Sequence, residues 1–276
     1  MQKVLIWLTA FVITLATAYY QRITGPTYPI KDKVLFEQSE INYTLARSHG
    51  GIEDHNLVIE SQDSTFNMIL FWKPLNYPGE WNQEKLDYNK GVYSAVIPNP
   101  NVLAAKIEYY VEISKKQNKI QLPLDDDFVV IRFKGDVPLL ILIPHVIAMF
   151  GAMLLATRTG IEALLKRKNV AKLTYWTMGL LVIGGFILGP LIQQYAFGAL
   201  WTGFPFGYDL TDNKTLIALI GWLIALLMIK KKQNPNFWVL AASIIMLVIF
   251  LIPHSLLGSE ADYKEINKQQ IESTIE

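Results

Sequence analysis

The sequence predicts an α+β membrane protein, in which a β-rich segment is joined to a bundle of apolar helices. Only 18% of the 276 residues are charged and 51% are hydrophobic, whereas a soluble domain carries about 25% charged residues. Uncharged apolar stretches occur at the N-terminus and throughout the second half, and short β-rich runs fill the region between them. This distribution excludes most classes of soluble enzyme.

Five uncharged apolar stretches are the candidate membrane helices. They cover residues 4–20, 137–156, 173–197, 215–229 and 237–253. A bilayer core requires about 20 helical residues, which the second and third stretches provide. The fourth stretch is short, but its helix can begin in the preceding polar turn, where Thr211, Asp212 or Asn213 would cap it. The last four predict a four-helix transmembrane domain over residues 137–254.

The first stretch has two interpretations. Residues 1–20 form either an additional N-terminal transmembrane helix or a signal peptide, because Lys3, the apolar run and Ala16-Thr17-Ala18 also fit a secretory signal. In both cases the segment that follows is exported.

Basic residues predict the orientation of the bundle in the membrane. Eight of them lie in the loops that follow the second and fourth stretches: Arg158, Lys166, Arg167, Lys168, Lys172, Lys230, Lys231 and Lys232. The loop between the third and fourth stretches carries only Lys214. Basic loops face the cytoplasm, so residues 21–136, the 198–214 loop and the polar tail 255–276 are expected to be extracytoplasmic, in the inner membrane of a bacterial cell.

The segment 21–136 has the pattern of a β-sandwich. Seven short runs rich in β-forming residues cover 34–37, 41–46, 57–60, 66–72, 91–97, 106–113 and 128–133. In 106–113 every second residue is apolar and can face a core. Seven short strands in this length are typical of an immunoglobulin or fibronectin type III domain, and the absence of cysteine favours the fibronectin-like form. We expect Trp72, Tyr93, Tyr109 and Val111 in its core.

Composition also limits the chemistry. The chain has no cysteine, which excludes disulfides, thiolate metal sites, iron–sulfur clusters and covalent haem attachment through C-x-x-C-H. A formal net charge of +1 gives no sign of the basic surface that nucleic-acid binding requires. The expected partners are the lipid bilayer and other membrane or exported proteins.

Two histidines lie in apolar stretches. His145 and His254 each end the same tetrapeptide, Leu-Ile-Pro-His, and the predicted orientation places both in the outer half of the bundle, His145 about 12 Å along its helix. An ionisable side chain at membrane depth suggests a functional site. The alternative is that the repeat is a coincidence of Leu- and Ile-rich helices.

Between these histidines lies an aromatic loop, residues 201–215. Trp201, Phe206 and Tyr208 are expected at the outer face of the bilayer, where they fit an aromatic belt. Asp209 and Asp212 are not required by such a belt, although they also fit as helix N-caps.

The segment 203–209, Gly-Phe-Pro-Phe-Gly-Tyr-Asp, resembles the tryptophan-rich external loop (WWD type) of the haem-handling proteins of cytochrome c maturation. Phe206 and Tyr208 stand where that family has tryptophan, and Trp222-Leu223-Ile224 is similar to its continuation. The resemblance covers at most residues 137–254. It implies that His145 and His254 are axial ligands of a haem and that Trp201, Phe206, Tyr208 and Asp209 shape its site. The whole chain also resembles a family of bacterial integral membrane proteins to which no activity is assigned.

His49 and His55 form a second pair, in the Gly-rich segment 48–55. Their spacing matches no fixed metal-ligand motif, so we interpret the segment as an ordinary polar hairpin loop. No metal site is predicted.

Three functions are consistent with the sequence. The first is a non-catalytic accessory or assembly subunit, whose exported β-sandwich docks a partner of a larger membrane complex. The second is haem binding or transfer at the outer membrane face through His145 and His254. The third is a transporter or channel, for which the predicted spans supply no Asp, Glu, Lys or Arg. No catalytic residues are predicted and the chain is not expected to be an enzyme.

Overall fold

The computed structural model describes residues 2–125 and 127–253, which form two compact units. One unit is helical and contains the described residues up to Pro26 and from Val137 onward. The other is β-rich and contains residues 27–136. His254 and the predicted tail 255–276 lie outside the described residues.

The described residues of the β-rich unit form eleven strands. They are β1 (Ile30–Phe36), β2 (Ser39–Leu45), β3 (Ser48–Gly50), β4 (His55–Glu60), β5 (Asn67–Pro74), β6 (Asn82–Lys85), β7 (Asp87–Asn89), β8 (Val92–Ile97), β9 (Lys106–Lys115), β10 (Asn118–Leu122) and β11 (Val129–Lys134). One sheet has the order β1-β2-β4-β8-β7, and the other has the order β3-β11-β9-β5-β6 with β10 also pairing with β9. All pairs are antiparallel except β3 with β11.

The two sheets share one hydrophobic core. It draws on Ile41, Tyr43, Leu57, Ile59 and Tyr93 from the first sheet and on Met68, Leu70, Tyr109, Val111 and Ile131 from the second. The alternation predicted for 106–113 is confirmed at its apolar positions, which are buried. The prediction of core residues is confirmed for three of the four, since Trp72 is only partly buried against the cluster.

Two buried tyrosines keep hydrogen-bond partners inside this core. The Tyr109 hydroxyl donates to the carbonyl of Ala46 at 2.8 Å and the Tyr93 hydroxyl donates to the carbonyl of Asp63 at 2.7 Å. Burial raises the pKa of both hydroxyls, so both remain protonated donors at neutral pH.

Several strands were not predicted because they bury little apolar side-chain surface. β6 and β7 are short and polar, and all their residues are exposed. They pair through backbone groups at the ends of the two sheets, where no alternating apolar pattern is needed.

The helical unit contains six α-helices and one π-helical segment among its described residues. They are α1 (Gln2–Ile23), α2 (Leu139–Leu164), α3 (Val170–Val182), the π segment Ile183–Leu188, α4 (Gly189–Phe197), α5 (Leu210–Lys231) and α6 (Pro235–Leu251). Four stretches are long and apolar enough to cross a membrane: α1, α2, the continuous helix Val170–Phe197, and α5. α6 is apolar but shorter, at 17 residues.

Two helix boundaries differ from the sequence prediction. α2 continues to Leu164, eight residues beyond the predicted end at 156, so Arg158 lies in the helix and not in a loop. α5 begins at Leu210 and its N-cap is Asp209, whose side chain accepts from the N–H groups of Thr211 and Asp212. The helix therefore begins earlier than a cap at Thr211, Asp212 or Asn213 would place it, and the interpretation of Asp209 as an N-cap is confirmed.

Small residues allow the helices to approach closely. Ala152, Ala156, Ala218 and Ala242 are buried in the bundle core around Trp222. A Cβ added at Gly185 would lie 2.7 Å from Thr215 Cγ2, and one at Gly184 would lie 3.1 Å from Ala148 Cβ. Gly184 and Gly185 are thus sites of tight helix packing.

Candidate functional site in the helical unit

His145 contacts the backbone of the third span. Its Nδ1 lies 3.0 Å from the carbonyl oxygen of Gly184. The preceding residue, Pro144, lies inside α2 and has no N–H to donate to the carbonyl four residues earlier. The sequence therefore loosens the helix next to the imidazole, and the imidazole bonds to a neighbouring helix.

The accepting carbonyl belongs to the π segment. The N–H of Gly189 also bonds to the Gly184 oxygen, five residues back, so this oxygen accepts from two donors. The helix runs without interruption through Gly184-Gly185 and Gly189-Pro190. Between α3 and α4 it widens to a π-helical turn over Ile183–Leu188. Single π turns inside α-helices occur frequently at functional sites.

This contact assigns the tautomer of His145. A carbonyl oxygen can only accept, so Nδ1 carries the hydrogen and the neutral ring has its lone pair on Nε2. A histidine that ligates a metal usually has such a second hydrogen bond to a backbone carbonyl. Nε2 is thus the atom of His145 that is available to a ligand.

The loop between α4 and α5 is held by the first residues of α5. Asp212 Oδ2 accepts from the N–H groups of Thr202 and Gly203 at 2.7 and 3.0 Å. Asn213 Oδ1 accepts from the N–H of Phe204 at 2.7 Å. The carboxylate of Asp209, which was predicted to shape a haem site, is occupied as the N-cap of α5.

The aromatic residues of this loop have different environments. Trp201 stacks on Phe186 with ring centroids 5.7 Å apart, and its Nε1 donates to the carbonyl of Phe204. Phe206 is 82% exposed and Tyr208 is 92% exposed. Of the three aromatic residues predicted for the site, Trp201 alone packs against a span, whereas Phe206 and Tyr208 are exposed. His254 is not among the described residues.

A buried lysine contacts the end of α6. Lys214 Nζ donates to the carbonyl oxygen of Ile252 at 2.8 Å, and Gln21 Nε2 of α1 donates to the same oxygen at 3.2 Å. A cavity of about 10 Å³ adjoins Lys214, which is the space of one water molecule. These donors satisfy a carbonyl that has no intrahelical partner after α6 ends.

The structure also contains a buried ion pair that the sequence analysis missed. Arg158 Nη2 lies 2.5 Å from Glu162 Oε1, one helical turn further along α2, and the two residues are 3% and 0% exposed. The guanidinium lies over the ring of Trp7 in α1, at 5.2 Å from its centroid. The premise that the spans carry no charged residues was therefore wrong. Opposite charges four residues apart on a helix are a recognisable signal of such a pair. Here the pair lies beyond residue 156, where the predicted span ended.

No protein-family model matches the chain, and no curated protein matches it at a significant level. The function must therefore follow from the residues and contacts of the chain itself.

We expect Glu162→Ala to destabilise the helical unit by about 3–5 kcal/mol, because it leaves the Arg158 guanidinium buried without its counter-ion. The double substitution Arg158→Leu with Glu162→Leu removes both charges and is expected to restore most of the loss. Thermal unfolding of the purified protein in detergent, followed by tryptophan fluorescence, measures both variants. A double variant as unstable as Glu162→Ala would contradict this account.

Proposed function

We propose that this protein is a non-catalytic accessory subunit of a membrane complex, whose β-rich unit lies outside the cytoplasm and docks another membrane or exported protein. The observation that carries the proposal is an aromatic cluster on the outer face of the second sheet. We define this aromatic cluster as Phe71, Trp81 and Tyr110.

The cluster faces away from the hydrophobic core. Phe71 and Tyr110 are paired residues of β5 and β9, and they alternate with the core residues Leu70 and Val111. Their rings stack at 4.7 Å, and Trp81 meets Tyr110 edge-on at 4.9 Å. Stacked aromatic rings on an outer sheet face are not required to hold the two sheets together. Aromatic side chains of this kind dominate the energetics of protein interfaces.

Two Lys–Glu ion pairs lie on the strands that carry the cluster and on the neighbouring β10. Lys73 Nζ lies 3.1 Å from Glu108 Oε1 and 4.7 Å from the centroid of the Trp81 ring. Lys119 pairs with Glu112 on the next pair of strands. Because each of these two pairs is neutral, they add no net charge beside the cluster. This face fits a partner protein that presents an apolar or aromatic side chain within a polar rim.

Site-specific photo-crosslinking in living cells tests the docking role. Replacing Tyr110 by a benzophenone amino acid is expected to give one discrete adduct, identified by mass spectrometry. The matched controls are the same replacement at Tyr88 of β7 and at Leu35 of β1, which are exposed positions of the other sheet. The absence of a discrete adduct at Tyr110, or equal adducts at all three positions, would overturn the proposed function.

The extracytoplasmic side of the β-rich unit is inferred from the basic residues. Lys166, Arg167 and Lys168 follow α2, and Lys230 to Lys232 end α5, as expected for cytoplasmic loops. We further propose that α1 is retained as a membrane anchor. Its support is that Gln2 accepts from Arg167 at 2.8 Å and Gln21 donates to Ile252, so both ends of α1 bond to the bundle. For the β-rich unit, the two facing sheets support a fibronectin-like or Ig-like sandwich.

Cysteine labelling tests this orientation, and the cysteine-free chain supplies a silent background. In spheroplasts, a membrane-impermeant maleimide is expected to label Leu35→Cys and Tyr208→Cys. Lys231→Cys is expected to react only after the membrane is permeabilised. Labelling of positions 208 and 231 from the same side would refute the orientation.

Haem binding at the outer face is the second candidate, and the tautomer of His145 favours it. With Nδ1 bonded to Gly184, Nε2 is free to ligate an iron, and Trp201 lies on the neighbouring loop. Two histidine ligands of one iron must bring their nitrogens to about 4 Å from each other, which requires His254 to approach His145.

Absorbance spectroscopy tests this candidate. Protein purified from haem-replete cells is expected to show a Soret band, and His145→Ala is expected to weaken and shift it. A colourless preparation that added haem leaves unchanged would remove the candidate, and it would leave the docking proposal intact.

A further inference from the structure

The histidine pair that the sequence analysis set aside is brought together in the β-rich unit. His49 lies in β3 of the second sheet and His55 begins β4 of the first sheet. The turn 51–54 connects these two strands across the edge of the unit. The two Nδ1 atoms face each other at 3.3 Å, and the ring planes are inclined by 63°.

His49 is oriented like a metal ligand. Its Nε2 lies 2.9 Å from the carbonyl oxygen of Glu53, so Nε2 carries the hydrogen and the neutral ring presents its lone pair on Nδ1. Such a bond from the second ring nitrogen to a backbone carbonyl is the usual support of a ligating histidine. On its other side the ring packs against Phe133, at 5.5 Å between centroids.

His55 is half-buried at the start of β4, and its Nδ1 faces the Nδ1 of His49. A neutral imidazole can offer one ring nitrogen as a lone pair to a metal ion.

The turn that carries the pair is fixed by Asn99. Its side-chain amide donates to the carbonyls of Gly51 and Glu53 at 3.1 and 3.2 Å. Its backbone N–H donates to Asp54 Oδ1 at 2.7 Å. The Glu53 carbonyl that orients His49 is thus itself held, so the two imidazoles are positioned before any ligand arrives.

We propose that His49 and His55 together bind one divalent transition-metal ion through their Nδ1 atoms. With metal–nitrogen distances of about 2.0–2.1 Å, a separation of 3.3 Å corresponds to an N–metal–N angle of about 107°, as for two neighbouring ligands of one ion. In the metal-free protein the same separation is that of a hydrogen bond between the two rings, in which one Nδ1 donates to the other. The metal ion replaces the single proton that the two rings can share.

The site has two protein ligands. In the described part of the chain, no group of three or more His, Cys, Asp or Glu side chains is placed to hold a metal ion. In the proposed site, water molecules complete the coordination of the ion. With so few ligands, the intrinsic affinity order of the metals decides, and Cu²⁺ binds more tightly than Zn²⁺.

Titration of the full-length, metal-stripped protein in detergent with Cu²⁺ tests the proposal. We expect one equivalent to bind, with the pulsed EPR signature of two imidazole nitrogens. His49→Gln and His55→Gln are each expected to lower the affinity by about tenfold or more, because one of two nitrogen ligands is lost. Asp54→Asn is the matched control in the same turn. It keeps the oxygen that accepts from Asn99 and is expected to bind Cu²⁺ like the wild type.

The wild-type spectrum decides the outcome even if a histidine variant fails to fold. A bound Cu²⁺ without coupling to two imidazoles would overturn the proposal. Unchanged Cu²⁺ affinity in both folded histidine variants would do the same.

Discussion

In a membrane-spanning unit every polar group must find its partner within the protein, because lipid offers none. The helical unit meets much of this constraint by sharing acceptors between elements that are distant in sequence, although Thr14 Oγ1, Arg158 Nε and Glu162 Oε2 are buried without a hydrogen-bond partner. The Gly184 carbonyl accepts from Gly189 and His145, and the Ile252 carbonyl accepts from Lys214 and Gln21. Asp212 satisfies two N–H groups of the preceding loop. These bonds connect α1, α2, the third span, α5 and the end of α6, so polar satisfaction and helix packing are achieved by the same contacts.

The sequence predicted the parts of the fold that depend on apolar periodicity. Long uncharged stretches located the spans, and alternation located strands such as β9, because both patterns record burial directly. The sequence did not predict elements whose formation does not depend on burying apolar side chains. β6 and β7 pair at the sheet ends with all their residues exposed, and α2 continues past Arg158, whose charge is paired with Glu162 one turn further along the helix. A search for charge pairs four residues apart would have corrected that helix end.

The candidate sites were less predictable than the fold. Trp201, Phe206 and Tyr208 looked equivalent in the sequence, but only Trp201 packs against a span. The role of Asp209 as a helix cap was one of the two interpretations that its position allowed, and the hydrogen bonds show that this role occupies the carboxylate. His49 and His55 are six residues apart, and nothing local predicts that a turn between two sheets brings their nitrogens to 3.3 Å. Contacts of this kind depend on tertiary structure, which pattern analysis does not reach.

The contact between Trp7 and Arg158 bears on how the chain is assembled. During synthesis α1 leaves the ribosome before α2, so the indole ring of Trp7 is made first and the guanidinium that packs over it is made later. Moving a charged side chain into lipid without a partner costs a large desolvation free energy. The cost is lower when the charge packs on an aromatic ring and has a carboxylate on the same helix. In the folded protein, the ring of Trp7 thus covers the guanidinium that α2 carries.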